Sequence, residues 1–134
     1  MSPKKENKIL VAEDDAAMRD IICHKLKTSG FLVVEAPDGK QAADLFVSEK
    51  PDLVLLDLLM PEMNGFQVLE SIRKNPDQAI ANTPVIVLSN LWSNKDILQA
   101  EALKVDAYMV KAYFDTNDIL KKIYEILEKI QSPT

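Results

Sequence analysis

Five short apolar runs alternate along the chain with segments of helical periodicity, and this alternation restricts the possible folds more than any other feature. The runs are rich in Val, Ile and Leu and lie at about Lys8–Ala12, Phe31–Glu35, Leu53–Asp57, Val85–Ser89 and Ala107–Val110. Short runs without polar alternation are typical of strands that are buried on both faces. Strands separated by helices need crossover connections, which favour parallel pairing. The sequence therefore predicts a parallel sheet covered by helices on both sides.

The helical segments carry the apolar spacing and the end signals that this arrangement needs. The residues expected to face the sheet from the first and last helices are Met18, Ile21, Ile22, Lys25-Leu26, Ile119, Ile123, Ile126, Leu127 and Ile130. Asp15 is expected to cap the first helix, Ser29-Gly30 to end it, and Asn64-Gly65 to start the third. Five consecutive βα units predict an α/β fold of the flavodoxin-like (βα)5 type, a three-layer sandwich whose parallel five-stranded sheet has the order 2-1-3-4-5.

Acidic residues follow two of the predicted strands. Asp57 closes the third run, and Glu13 and Asp14 follow the first. The carboxyl ends of parallel strands meet at one edge of a sheet, where open α/β sheets bind their ligands. Three carboxylates held together repel one another, and Mg²⁺ prefers a few carboxylates together with water and phosphate oxygens. This edge is therefore predicted to hold Mg²⁺ and a phosphoryl group.

A hydroxyl and an ammonium group complete the same edge, because Ser89 ends the fourth run and Lys111 follows the fifth. Such groups stabilise the equatorial oxygens of a phosphoryl group during its transfer. Each residue alone is common at a strand end, so the interpretation depends on their joint placement. Together they lead to the hypothesis that Asp57 itself becomes phosphorylated.

With these residues, the chain resembles the receiver domains of bacterial two-component response regulators, in a stand-alone, CheY-like form. The resemblance is carried by Glu13-Asp14, the segment Asp57-Leu-Leu-Met-Pro-Glu-Met-Asn-Gly65, Ser89, Tyr108 and Lys111. It implies a receiver domain at residues 7–130, polar tails at residues 1–6 and 131–134, and no output domain.

The resemblance also implies a role for each site residue. Asp57 would take a phosphoryl group from a phosphohistidine of a sensor histidine kinase or phosphotransfer protein. Asp14, Asp57 and the Leu59 carbonyl would bind Mg²⁺, with Glu13 acting through water. Ser89 and Lys111 would hold the phosphoryl oxygens. The domain would catalyse only its own phosphorylation and dephosphorylation.

A switch is implied as well. Ser89 would move towards the phosphoryl group and Tyr108 would turn into the space it leaves. The surface formed by the fourth helix, fifth strand and fifth helix would then change its binding to a downstream protein that the sequence does not name. Leu91 and Trp92 lie on the loop that has to move.

Three residues depart from the usual pattern of the family: Glu13 replaces the commoner Asp, Asn90 replaces a small residue, and Ala112 replaces Pro. A cis bond before a residue other than proline costs about 2.5–4 kcal/mol, so the Lys111–Ala112 peptide is predicted to be trans, in a loop that still points Lys111 inward. Asn90 is expected to restrict access to the phosphoryl site.

Two other functions fit parts of the pattern. A phosphatase of the haloacid-dehalogenase type also uses an Asp after an apolar strand, but it needs a second Asp where this chain has Leu59. A degenerate receiver would bind partners without being phosphorylated, which the presence of Asp14, Asp57, Ser89 and Lys111 disfavours.

Composition excludes some classes. With 16 basic against 21 acidic residues and no helix-turn-helix segment, no nucleic-acid partner is expected. No apolar stretch approaches the roughly 20 residues of a membrane span, and Lys4-Lys5-Glu6 does not resemble a signal peptide, so a cytoplasmic protein without a membrane partner is predicted. The single Cys23 is predicted to be a packing residue, and His24 to be solvated.

Overall fold

The computed structural model describes residues 7–91 and 93–131. The predicted tails at residues 1–6 and 132–134 and the predicted loop residue Trp92 lie outside the described residues, whereas Gln131 is the last residue of a helix. Within the described residues, no helix combines the length and the apolar character needed to cross a membrane.

The predicted fold is confirmed. The elements are β1 (Lys8–Ala12), α1 (Ala16–Thr28), β2 (Leu32–Ala36), α2 (Gly39–Glu49), β3 (Leu53–Leu56), α3 (Gly65–Arg73), α4 (Gln78–Ala81), β4 (Val85–Ser89), α5 (Asn94–Ala102), β5 (Ala107–Val110) and α6 (Thr116–Gln131). All strand pairs are parallel, and the sheet order is β2-β1-β3-β4-β5. A 3₁₀ turn at Lys111–Tyr113 joins β5 to α6.

The sequence did not predict α4, a single turn between α3 and β4. Its cap is Asp77, whose side chain accepts a hydrogen bond from the Ala79 amide at 3.0 Å. Four residues are too few to show a helical period, so the sequence pattern gave no signal for it. Because of α4, the surface predicted to carry the switch consists of α5, β5 and α6 in this structure.

Successive strand residues point to opposite layers, as expected for a sheet buried on both faces. One core cluster packs the sheet against α1 and α6, and a second packs it against α2 and α3. A smaller cluster of Leu58, Val87 and Ala100 packs α5 onto the sheet, with Tyr108 against it. The sheet is therefore the middle one of three layers, with helices packed on both of its faces.

The prediction that two apolar helix residues face the sheet is wrong. Ile21 of α1 and Ile130 of α6 are 57% and 56% exposed. In α1 the buried residues are Ile22, Cys23 and Leu26, so Cys23 takes the place that the sequence analysis gave to Ile21. Both apolar residues fit the helical period, but the period alone does not fix the centre of the buried face.

The ends of two helices bring loops close to the end of β3. The Asp15 side chain accepts a hydrogen bond from the Met18 amide at 3.1 Å, which confirms the predicted cap of α1. Asn64 and Gln67 form a reciprocal capping box at the start of α3. A side chain at Gly65 would collide with the Asp57 carbonyl and lie 2.6 Å from the Leu58 α-carbon. Glycine at this position therefore lets α3 begin directly against the end of β3.

Cys23 is a buried packing residue, as predicted. Burial, with a smaller contribution from the charge of Glu35, raises the pKa of its thiol to about 11. Because the thiolate is the reactive form, the folded protein holds this thiol in its unreactive state at neutral pH.

We predict that Cys23 resists alkylation in the native protein. Iodoacetamide at pH 8 should leave the folded chain largely unlabelled over the time in which the same chain in concentrated urea is labelled completely, as measured by intact mass. Equal labelling rates in the two conditions would contradict the burial of this thiol.

Candidate phosphoryl-accepting site

The register of the sheet brings the predicted acidic residues together. Ala12 of β1 pairs with Leu56 of β3, so that Glu13 and Asp57 each follow a paired residue at the same edge. The two backbones are also joined there, because the Asp57 amide donates a hydrogen bond to the Ala12 carbonyl at 3.0 Å. The neighbouring carboxylates of Glu13 and Asp57 thus result directly from parallel pairing.

Lys111 connects these two carboxylates. Its Nζ lies 2.6 Å from Glu13 Oε1 and 3.0 Å from Asp57 Oδ2. Both acidic side chains are almost fully buried, and that of Lys111 is 14% exposed. None of the peptide bonds in the described residues is cis, so the predicted trans Lys111–Ala112 bond and the inward Lys111 are both confirmed.

The electrostatics follow from this crowding. Burial raises the pKa of Glu13 to about 7; the hydrogen bond from Lys111 acts in the opposite direction, and the charge of Asp57 adds to the rise. Burial lowers the pKa of Lys111, but its hydrogen bonds to Glu13 and Asp57 outweigh burial and leave that pKa above its ordinary value. Lys111 is therefore the fixed cation of a site with an excess of negative charge.

Asp14 completes the acidic cluster. Ligand oxygens of Glu13, Asp14 and Asp57 all lie within 4.8 Å of one another. The side chain of Asp14 is exposed, whereas the other two are buried, so a cation would reach the cluster from the side of Asp14. Carboxylate oxygens at this spacing, open to water on one side, are the donor set that suits Mg²⁺.

Both oxygens of Asp57 have partners. Oδ1 accepts a hydrogen bond from the Leu59 amide at 3.1 Å, and Oδ2 accepts one from Lys111. The side chain of Leu59 is 57% exposed and has no polar group. The structure thus orients the Asp57 carboxylate by a backbone amide on one side and an ammonium group on the other.

Ser89 and Tyr108 lie on a separate chain of hydrogen bonds through Leu91. The Leu91 amide donates to Ser89 Oγ at 3.2 Å, and the Tyr108 hydroxyl donates to the Leu91 carbonyl at 2.6 Å. Ser89 is fully buried and its hydroxyl keeps a proton to donate. Within the described residues, no hydrogen bond joins Ser89 to the carboxylates, so the predicted site residues form two groups in this structure.

Asn90 and Leu91 line a cleft beside this loop together with Ser93, Asn94 and Asp96 of the start of α5. Asn90 is exposed. Burial, followed by the charges of Asp96 and Asp57, raises the pKa of Tyr108 to about 12, so its hydroxyl remains a donor at neutral pH.

Sequence reasoning missed three contacts of Glu13. Its carboxylate binds Lys111 directly and also accepts a hydrogen bond from the Asp15 amide at 3.2 Å. In addition, Arg19 Nη1 donates to the Glu13 carbonyl at 2.8 Å. The Glu13 side chain is one methylene longer than that of Asp, and this length could have indicated the contact with Lys111. Nothing in the sequence pattern indicated the contact with Arg19.

Comparison with known proteins identifies related sequences and structures. The family model of the response regulator receiver domain matches residues 9–124. A probable transcriptional regulator, ycf27, of Guillardia theta is 35% identical over 92% of this chain and 46% of its own length. The DNA-binding dual master transcriptional regulator RpaA of Synechocystis is 33% identical over 91% of this chain and 49% of its own length. The receiver domain of the Francisella response regulator 1452 superposes with a TM-score of 0.84 at 28% identity, covering 94% of this chain and all of that one.

The chain belongs to the response regulator receiver domain family of two-component signalling. Membership also removes the haloacid-dehalogenase alternative. The chain spans about half the length of the curated relatives it matches. Those relatives are named as transcriptional regulators rather than as enzymes.

The expectation of no nucleic-acid partner is wrong. It relied on the acidic balance and on the missing helix-turn-helix segment of these 134 residues. Relatives of this chain are transcriptional regulators, and one is named as DNA-binding, with about half of its length outside the match. The charge of these 134 residues carries no information about the half of those relatives that lies outside the match.

Proposed function

We propose that residues 7–130 act as the phosphoacceptor domain of a two-component phosphorelay and that Asp57 is the residue phosphorylated. The donor is a phosphohistidine on a sensor histidine kinase or phosphotransfer protein. An Asp57 oxygen attacks the phosphorus, the phosphorus–nitrogen bond breaks with its electron pair going to the nitrogen, and the released imidazole nitrogen takes a proton from water. The domain catalyses this transfer and the later hydrolysis only on itself.

The observation that carries the proposal is the position of Asp57 between a cation and an acidic cluster. Lys111 contacts Asp57 at 3.0 Å, and Glu13 and Asp14 supply carboxylate oxygens within 4.8 Å. Asp14, Asp57 and the Leu59 carbonyl would hold Mg²⁺, with Glu13 acting through water. When bound, Mg²⁺ would neutralise charge on the transferred phosphoryl group. Lys111 and Ser89 would bind its remaining oxygens.

A transcriptional output belongs to the proposal, because relatives of the chain are named as transcriptional regulators. Phosphorylation of the receiver would control that output through a DNA-binding output domain or a downstream protein. A cytoplasmic location is proposed on the same grounds, since the kinase, the receiver and the DNA would then share one compartment.

We predict that acetyl phosphate with Mg²⁺ modifies Asp57 alone. Asp57→Asn should abolish the modification, and Glu62→Gln, which removes an exposed carboxylate five residues away, should leave it unchanged. Peptide mass spectrometry after borohydride trapping reads the position of the label.

A label on another residue, or full labelling when Mg²⁺ is chelated, would contradict this assignment. A chain that binds partners but is never labelled would instead be the degenerate receiver. The same experiment therefore separates the two functions.

We predict that a phosphoryl analogue changes the surface formed by α5, β5 and α6 through Leu91. If Ser89 turns its hydroxyl to the analogue, the Leu91 amide loses its acceptor and the Leu91 carbonyl shifts under Tyr108, which couples the site to a two-state surface. Beryllofluoride with Mg²⁺ should shift the amide resonances of residues 89–112.

Tyr108→Phe removes the hydroxyl that binds the Leu91 carbonyl and should reduce the shifts in β5 while sparing those beside Asp57. Tyr113→Phe is the matched control, because Tyr113 is 72% exposed and lies outside this chain of hydrogen bonds. Resonances of residues 89–112 that stay unchanged with the analogue would refute the coupling.

We predict that the phosphorylated state decays slowly. Hydrolysis needs a water aligned with the Asp57–phosphorus bond, and Leu59 and Leu91 offer no side-chain hydrogen bond to orient it. One positioned polar group is worth about 1–3 kcal/mol, or roughly one to two decades in rate. Leu59→Asn and Leu91→Glu should each accelerate the loss of phosphate by roughly tenfold.

The decay of phospho-Asp57 in Mg²⁺ buffer measures this effect. Leu98→Asn is the control, because Leu98 is 64% exposed on α5 and is not a residue of the site. Unchanged decay in both test variants would show that water positioning at these residues does not set the lifetime.

A further inference from the structure

Arg19 of α1 joins the end of β1 to β2 by two contacts. Its Nη1 donates a hydrogen bond to the Glu13 carbonyl at 2.8 Å, and its Nε lies 3.4 Å from Glu35 Oε1. The side chain is 17% exposed, so the guanidinium is held between the two elements and is not free in solvent. A planar guanidinium with two anchored nitrogens has little freedom to turn.

The Glu13 carbonyl belongs to the peptide group that leads into Asp14. That peptide group is planar, so a hydrogen bond that fixes the carbonyl also fixes the direction in which the Asp14 backbone starts. On the other side of Glu13, its amide donates to the Ala36 carbonyl at 3.0 Å. Arg19 is therefore the contact that sets the orientation of the backbone just before Asp14.

Asp14 depends on its backbone more than the other two acidic residues do. Glu13 is held by Lys111 and by the Asp15 amide, and Asp57 by Lys111 and by the Leu59 amide. For the exposed Asp14 carboxylate, the structure shows no such hydrogen bond within the described residues. Its place in the cluster is thus set by the direction of the preceding peptide.

We propose that Arg19 is a positioning residue for the magnesium site: by holding the Glu13 carbonyl, it orients Asp14 for the cation. The inference rests on the proposed magnesium site and names a determinant of its affinity. Arg19 itself does not touch the cation or the phosphoryl group.

The sign of the effect distinguishes positioning from simple charge. Arg19 is a cation near a cation site, so its removal would tighten Mg²⁺ binding if only the Coulomb energy changed. Loss of positioning has the opposite effect, because residues that orient metal ligands are typically worth 10- to 100-fold in affinity.

The test is a titration of the full chain with MgCl₂, followed by amide chemical shifts. We expect Arg19→Met to bind Mg²⁺ about tenfold more weakly than the unaltered chain. Arg19→Lys keeps the positive charge but loses the planar guanidinium, so its Mg²⁺ affinity should lie between those of Arg19→Met and the unaltered chain. Lys27→Met is the matched control, because Lys27 lies on the same helix and pairs with the same Glu35 at 3.7 Å. It should bind Mg²⁺ within about twofold of the unaltered chain, since its effect on the site is screened.

Thermal unfolding in EDTA measures the purely structural role of Arg19. A lower unfolding temperature with unchanged Mg²⁺ affinity, or affinity that increases in Arg19→Met, would overturn the inference. If Arg19→Met does not fold, Arg19→Lys decides, because unchanged affinity in that variant also overturns it. Asp14→Asn distinguishes the magnesium site from the role of Arg19. If Asp14→Asn leaves the Mg²⁺ affinity unchanged, both the magnesium site and the inference are refuted. If Asp14→Asn lowers the Mg²⁺ affinity and the Arg19 variants do not, only the inference is refuted.

Discussion

The contact of one ammonium group with two buried carboxylates is the interaction on which the rest of the site depends. Glu13 and Asp57 are almost fully buried next to each other, and Lys111 binds both. Removing one partner from such a group leaves buried charge without compensation, which is far more costly than the net gain from forming the pair. The ends of β1, β3 and β5 are therefore fixed relative to one another by these ion pairs as well as by packing.

Strand alternation explains which side of the sheet each group occupies. Val11, Leu55 and Met109 point into the layer of α1 and α6. Glu13, Asp57 and Lys111 each follow the last residue of one of these strands, and Lys111 binds both carboxylates there. Ser89 comes two residues after Val87, which faces α5 instead. Ser89 therefore accepts its hydrogen bond from the loop that leads into α5, whereas Lys111 binds the two carboxylates.

Much of the fold and of the candidate site could be predicted from the sequence, because strands that are buried on both faces are encoded by short apolar runs. The runs gave the sheet order and the residues at the strand ends, including Asp57, Ser89 and Lys111. They could not give the helix faces to within one residue, as Ile21 shows, because a period of 3.6 leaves the centre of the face open. They also could not predict the contact of Arg19 with Glu13. Its acceptor is a backbone carbonyl, which every residue type has. The partner prediction failed for another reason: the charge of these 134 residues was used to exclude a partner that a relative of about twice this length is named as binding.

Glu13 shows how a departure of one methylene changes such a site. Its Oε1 reaches Lys111 and its Oε2 reaches the Asp15 amide, so a single side chain spans from the end of β5 to the start of α1. The cost of this reach is burial, which holds the pKa of Glu13 at about 7. A divalent cation beside it would favour the ionised carboxylate, since bound cations are the largest local charges in such sites. Among the described residues, Lys111 is the cation that contacts Glu13 and Asp57, and a divalent cation held at Asp14 would add positive charge beside the same carboxylates. Under the proposed function, the same Lys111 ammonium group would bind the carboxylates and, once Asp57 is phosphorylated, a phosphoryl oxygen.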